Sequence, residues 1–352
     1  MVDLAVFYPI GHTAHVERGH PERPERVETA RAALQALGAW DPAWKLDPLP
    51  LAADWIGRLH DPLYLETLQE FSQAGRWLDG DTYTTPASWG LALNAAGGAA
   101  AVAQAVWQGQ ARRGFALCRP PGHHATRRRG MGFCLLNNVA LAAEYLLCGD
   151  PAARSVEQGA PPAQRLAVVD LDLHHGNGTQ GIFWERPEVA FLSLHQSPLY
   201  PGSGALDERG AGPGLGYTAN LPLPPGSGDQ AYRAGLDGWV LPLLERFDPQ
   251  MLLVSFGFDP HWRDPLGSLQ LSAAVYGELI AGLAAWADAH CGGRMALFLE
   301  GGYDLQAGWA CTQSAAAALL GQPWQDALGP SPVGETDAWQ PILRSAQRIW
   351  DV

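Results

Sequence analysis

The chain has 352 residues, 47% of them hydrophobic and 17% charged, which suits one large α/β domain or two ordinary ones with a sizeable core. Net charge is −13, from 36 acidic against 23 basic residues; that disfavours nucleic acid as a partner and mildly favours cationic substrates. No run is long and apolar enough to cross a bilayer, so no membrane partner is expected.

The N-terminal stretch MVDLAVFYPIGHTAH lacks a basic segment followed by an apolar one, so no signal peptide is expected. The cysteines, Cys118, Cys134, Cys148, Cys291 and Cys311, are scattered and odd in number. Without a Cys-x-x-Cys they indicate neither a disulfide framework nor a zinc finger. A reduced, cytoplasmic protein is the default expectation.

Residues 4–8 read as a first strand, followed by the histidine- and proline-rich loop GHTAHVERGHPERPER. Val27, Ala30, Ala33, Leu34 and Leu37 share one face of a helix over 25–37, with Gly38 as its C-cap. Residues 55–71 contain two short helices with Asp61-Pro62 between them. Residues 86–108 form a long helix of small residues, and Gly97 and Gly98 predict close packing against a neighbour. A strand over 115–118 runs into RPPGHHATRRRGMGF, and a helix covers 134–147. Arg127-Arg128-Arg129 is the one basic run and reads as a solvated loop. Residues 149–164 lack periodicity and read as an exposed loop.

The stretch LAVVDLDLHHGNGTQ, 166–180, organises the rest. Leu166 to Val169 are apolar without alternation, as in a strand covered on both faces. Asp170, Asp172 and His174 then alternate with Leu171 and Leu173, which would place the three polar side chains on one face. Two carboxylates and an imidazole at the end of a buried strand are a metal-ligand set; taken alone, Asp-x-Asp would be a pair of aspartates satisfied by loop amides.

Further strands are expected at 189–194, near 217–221, at 251–255 and at 294–299; helices are expected at 231–247, 273–290 and 306–320. Strands and helices alternate throughout, so the expected fold is α/β, a single-domain parallel sheet flanked by helices over 1–352. In such sheets ligands bind beyond the carboxyl ends of the strands. Four such ends carry unusual chemistry: His123-His124, the Asp170–His174 run, Asp259 and Tyr303.

Asp172, His174 and Asp259 could hold one divalent metal and leave positions open for water and substrate. The His123-His124 pair offers a base, since two adjacent histidines are not both comfortably charged. Tyr303, in a glycine-flanked turn, could donate to a carbonyl oxygen as negative charge develops. Metal, base and phenol together suit hydrolysis of an amide.

On these motifs the sequence resembles the zinc-dependent histone deacetylase family, including its bacterial class II-like members and the acetylpolyamine amidohydrolases. The matching pieces are HPERPERV, PPGHHA, GFCLLNNVALAA, VDLDLHHGNGTQ, SLHQSPLYPGSG, GFDPHWRDPLG and EGGYDL, in family order. The resemblance implies one Zn2+ per chain on Asp172, His174 and Asp259. It implies His124 as general base and acid, with His123 as its electrostatic partner, Asp170 orienting His123 and Asn177 behind His124. Tyr303 would polarise the acyl carbonyl. Phe133 and Tyr200 would wall a tunnel that Gly132 and Gly302 also line. The resemblance further implies a structural K+ on Asp170, Ser193 and the backbone oxygens of Asp172, His174 and Leu194. A second cation would sit near Phe183, Val189 and Tyr217, and Arg26 would line an internal channel below the metal.

Three departures bear on the substrate. Position 177 is Asn where one branch has Asp, Tyr200 replaces the commonest phenylalanine, and Leu266 stands where polyamine-selective relatives can carry glutamate. The expected substrate is therefore an acylated lysine side chain in a peptide, or a small acylated amine on a slim stem. Acetylpolyamines remain the alternative, with Glu17, Glu22 or Asp81 as rim carboxylates. A binuclear, arginase-type site would need more aspartates beside Asp259, and an inactive binding module would have a broken constellation. Self-association into a homo-oligomer is left open.

Overall fold

Eight strands form one parallel sheet in the computed structural model, which describes residues 1–149 and 160–352. They are β1 (Val2–Phe7), β2 (Lys45–Leu46), β3 (Ala111–Ala116), β4 (Leu166–Asp170), β5 (Val189–Gln196), β6 (Thr218–Leu223), β7 (Leu252–Phe256) and β8 (Met295–Leu299). Their order across the sheet is β2-β1-β3-β8-β7-β4-β5-β6. The apolar runs reflect burial on both faces: in β4, Ala167 and Val169 join one core while Leu166 and Val168 join the other.

On the first face pack α1 (Glu25–Ala36), α9 (Ala273–His290) and α10 (Leu305–Leu320). On the second pack α3 (Pro62–Ala74), α4 (Ser88–Trp107) and α5 (Asn138–Cys148). The small residues of α4 have a plain cause. A Cβ on Gly98 would overlap the Phe7 ring, and one on Gly97 would overlap the Leu49 carbonyl. Among the described residues no helix is long and apolar enough to cross a membrane, and all five cysteines are free.

Several expectations need correction. The strand expected at 115–118 spans Ala111–Ala116; Arg113 fits within it because its buried guanidinium bonds to Ala284 O and Asp288. The helix at 134–147 begins at Asn138, whose predecessor Asn137 caps it through Ala140 N. The helix at 231–247 is broken into Asp229–Gly235 (α7), a π-turn over Leu236–Val240 and Leu241–Phe247 (α8). Pro242 lacks an N–H, and Gly238 O accepts instead from Gln347 Nε2 at 2.9 Å. Strand β2 and the C-terminal helix Gln340–Trp350 were not expected. Most of the loop read at 149–164 lies outside the described residues.

Candidate active site

The site lies beyond the carboxyl ends of five adjacent strands, β3-β8-β7-β4-β5. The loops that leave them carry His123 and His124, Tyr303, Asp259, Asp172 and His174, and Tyr200 in turn.

Asp172 and His174 do not lie on a strand, contrary to the alternation read in the sequence. Strand β4 ends at Asp170. The carboxylates themselves turn the chain: Asp170 Oδ1 accepts from Asp172 N at 3.2 Å, and Asp172 Oδ1 from His174 N at 2.9 Å. The three side chains therefore do not share one set of partners. Asp170 Oδ2 accepts from His123 Nδ1 at 3.1 Å, whereas Asp172 and His174 turn towards Asp259.

Asp172, His174 and Asp259 each present one donor atom, and these atoms lie within 4.8 Å of one another. His174 Nδ1 is 3.3 Å from Asp172 Oδ1 and 3.2 Å from Asp259 Oδ2. The remaining carboxylate oxygens are held by backbone: Gly301 N donates to Asp172 Oδ2 at 2.7 Å and Leu173 N to Asp259 Oδ1 at 3.0 Å. Both carboxylates are buried, and among the described residues neither pairs with an arginine or lysine. Burial works to lower the His174 pKa, yet its hydrogen bonds to Asp172 and Asp259 push it up to about 9. Such a cavity favours a positive charge, and a buried His-carboxylate set fits a divalent metal. Gly257 and Gly301 leave the room for it, since a Cβ at either would overlap the Asp172 or Asp259 carboxylate.

A second buried group, His123, Cys134 and Glu300, also converges. Its carboxylate is already engaged: Glu300 Oε2 accepts from Gly122 N at 2.7 Å and His123 N at 3.1 Å. That contact fixes the PPGHH turn beside the trio.

The two histidines are electrostatically unlike. For His123, burial favours the neutral ring, but Asp172 and Asp170 outweigh it and push the pKa up to about 10. Burial lowers His124 well below its ordinary value, and the neighbouring His123 and His174 add to that. His124 Nδ1 donates to Asn177 Oδ1 at 2.8 Å, while Asn177 Nδ2 faces Met131 Sδ. This pattern leaves the other ring nitrogen, Nε2, as an acceptor.

Tyr303 is buried at the end of β8, and burial raises its phenol well above the ordinary range, against the pull of Arg26. The Arg26 guanidinium lies 4.9 Å from the Tyr303 ring centroid. It donates to Gly302 O at 2.5 Å, to Glu300 O, and to Glu22 Oε1 at 3.1 Å. Expected only as a channel-lining residue, Arg26 also braces the turn that presents Tyr303. Glu22, offered as a rim carboxylate, is fully buried between Arg26 and Arg119 and cannot serve there.

Gly132, Phe133 and Tyr200 lie beside the histidines and Tyr303. A Cβ on Gly132 would press on the His124 ring and on Tyr200, and Phe133 sits at φ 69, a region that bulky residues rarely adopt. The Phe133 ring meets Tyr303 edge-on at 5.6 Å, and Tyr200 meets His124 edge-on at 5.2 Å. A Cβ on Gly302 would overlap the Phe258 ring. Leu266 is half-buried, with its amide bound to Asp264 Oδ1 at 3.0 Å.

Among the residues expected to hold K+, Asp170 pairs with Ser193 in register across β4 and β5. Ser193 Oγ is 2.9 Å from His195 Nδ1, and Leu194 O accepts from Tyr232 OH at 3.3 Å. Near the second set, Phe183 O and Tyr217 O accept from the amides of Arg186 and Phe191.

Two residues were missed by the sequence reading. One is Glu300, which opens the EGGYDL piece but to which the motif gave no role. The other is Asp264, whose Oδ2 accepts from Tyr303 N at 2.6 Å and Asp304 N at 3.2 Å. Burial, aided by Asp259, pushes the Asp264 pKa up to about 7. Asp264→Asn would set an amide N–H or a poorer acceptor against two N–H groups. The expected result is a fall in kcat of roughly ten- to a hundredfold through misplacement of Tyr303. Its effect should not add to that of Tyr303→Phe. Additive losses in a double-mutant cycle would show that Asp264 acts elsewhere.

Residues 20–319 match the histone deacetylase domain. The chain is 40% identical to a probable deacetylase of Archaeoglobus fulgidus over 82% of this chain and 77% of that one. It is 37% identical to the histone deacetylase-like amidohydrolase of Pseudomonas aeruginosa, over 81% and 73% of the two chains. Histone deacetylase 14 of Arabidopsis thaliana is 35% identical over 92% and 78%. Among solved structures, the HD domain of HDA15 superposes with a TM-score of 0.87 at 33% identity, covering 99% of this chain and 94% of that one. The fold that gathers these loops at one sheet edge is thus shared with a solved structure matched along 99% of this chain, and the chain belongs to the histone deacetylase family.

Proposed function

We propose that this protein is a zinc-dependent deacetylase that removes acetyl or related acyl groups from lysine side chains. The observation that carries the reading is the meeting of three kinds of group in one buried place. These are the Asp172, His174 and Asp259 donors, the neutral His124 ring and the protonated Tyr303 phenol.

Zinc bound to the three donors would supply a Lewis acid that activates water and polarises a carbonyl. His124 Nε2 takes the proton of the attacking water and later gives it to the leaving amine. Asn177 holds the ring in the tautomer this needs, and His123, fixed by Asp170, stays positive beside it. The Tyr303 hydroxyl donates to the carbonyl oxygen as charge develops there. Phe133 and Tyr200 bracket a slim aliphatic stem and exclude water around it. Asp170 and Ser193, with the carbonyls of Asp172, His174 and Leu194, would hold a K+ that stiffens the turn after β4. The whole chain acts as one catalytic unit in this reading.

Tyr303→Phe tests the phenol. The fold and the metal should remain while turnover falls by roughly two to three decades. A variant as fast as the parent would make Tyr303 a packing residue only.

Substrate choice rests on Leu266, which offers apolar contact where a carboxylate would attract a second ammonium group. Asp79 and Asp81 act on the Tyr200 phenol and speak for the rival reading, an acetylpolyamine amidohydrolase. Specificity constants for an acetyl-lysine peptide and for N8-acetylspermidine, at matched ionic strength, decide between them. The peptide is expected to be preferred, and a clear advantage for the polyamine would move the substrate assignment while leaving the metal and acid–base roles in place.

A further inference from the structure

The Arg127-Arg128-Arg129 run has no part in the site described above, yet it borders a cleft of about 480 Å³. It is lined by the apolar side chains of Leu63, Phe71 and Leu78 and by three charged ones, Arg128 and Arg129 against Asp61. The loop that carries them is pinned. Thr126 Oγ1 accepts from Arg128 N at 3.2 Å and Arg129 N at 3.1 Å, and Arg127 O accepts from Asp61 N at 2.7 Å. Arg127 spends its guanidinium on Arg58 O at 3.0 Å. Arg128 has only a 4.0 Å approach to Asp61, and the Arg129 guanidinium has no partner among the described residues. Both side chains are thus exposed on a pinned backbone, and Arg129 is left without an ionic partner among the described residues.

The cleft and the tunnel share a wall. Gly130 lines the cleft, and Gly132 and Phe133 line the tunnel two and three residues on, across the mutual Met131–Cys134 hydrogen bonds of 3.1 and 3.0 Å. The turn behind them serves both sides: Leu78 N donates to Thr82 O at 2.8 Å, and Thr82 Oγ accepts from Phe133 N at 3.2 Å. Arg129 is close enough to act on the Tyr200 phenol at the tunnel mouth. A substrate whose acyl-lysine fills the tunnel would therefore lay a neighbouring residue over this cleft.

We infer that the cleft is a subsite for an acidic side chain, glutamate above all, flanking the acyl-lysine of a peptide substrate. The inference rests on the lysine-deacetylase reading. The methylenes of glutamate suit the Leu63, Phe71 and Leu78 floor, and its carboxylate suits the guanidinium fork. Lysine at the same place meets two like charges against the single Asp61 carboxylate.

The test uses acetyl-lysine peptides that differ only in carrying Glu, Gln or Lys at the flanking positions. A small acetyl-lysine amide without flanks serves as a reading of the tunnel alone. For the parent, kcat/KM should favour Glu over Gln by about three- to tenfold at low salt, as expected for exposed charge pairs. Lys should be poorest, and the spread should shrink as ionic strength rises. In the Arg128→Gln/Arg129→Gln protein the Glu-to-Gln ratio should fall to about one. A parent that turns over the small amide but does not favour Glu overturns the subsite and leaves the proposed function standing. So does a Glu preference that survives the double substitution. If no acetyl-lysine substrate is turned over, the proposed function fails and the subsite falls with it.

Discussion

Asp172→Ala and Asp259→Ala are each expected to abolish turnover together with bound metal. Each carboxylate is buried and already uses one oxygen on a backbone amide, Gly301 N for Asp172 and Leu173 N for Asp259. The other oxygen is aimed at His174 Nδ1. Removing either side chain leaves two donors, too few to hold a divalent ion against water. It also leaves buried backbone N–H groups unsatisfied, those of Gly301 and His174 for Asp172 and that of Leu173 for Asp259, at a cost of about 1–3 kcal/mol each. Metal content per chain, thermal stability and kcat should be measured on the same preparations. The parent should carry one zinc, and chelation should silence it. A metal-free preparation with full activity would overturn the mechanism.

His124→Ala should lose about two to four decades in the chemical step, more than His123→Ala. The two rings touch, with centroids 4.0 Å apart, but their surroundings divide the work. His123 sits against two carboxylates and holds its proton, so it has no free lone pair to offer. His124 is kept neutral by burial and by its charged neighbours, and Asn177 leaves its Nε2 ready to accept. His123→Ala would remove a positive charge without removing the base. Single-turnover rates separate this from effects on binding or product release, and equal losses would leave the division of roles unsupported.

Much of this was legible from short stretches. The apolar run before Asp170, the long helix with Gly97-Gly98 and the polar loops after the strands predict a parallel sheet with its site at the carboxyl edge. The signal for the last helix was present too: Leu343, Ala346 and Trp350 lie at helical spacing and are buried. The family motifs pointed to Asp172, His174, Asp259, both histidines and Tyr303, residues whose loops the sheet brings to one edge.

What the sequence determined by itself was the period of the strands and helices, and the residue types delivered to the loops. Both are local properties, set by side-chain alternation and by glycine or proline within a few positions. Only the tertiary structure decided that β3, β8, β7, β4 and β5 lie side by side, which turns five separate loops into one site. It also decided that Asp172 and His174 leave the strand, because their own backbone amides are captured by carboxylates two residues back. The supports around the site were out of reach for the same reason. Asp264 and Glu300 accept from main-chain N–H groups 39 and 178 positions away, and Arg26 reaches a carbonyl 276 positions away. A backbone amide looks alike at every residue, so no pattern in the sequence marks which one a buried charge will find.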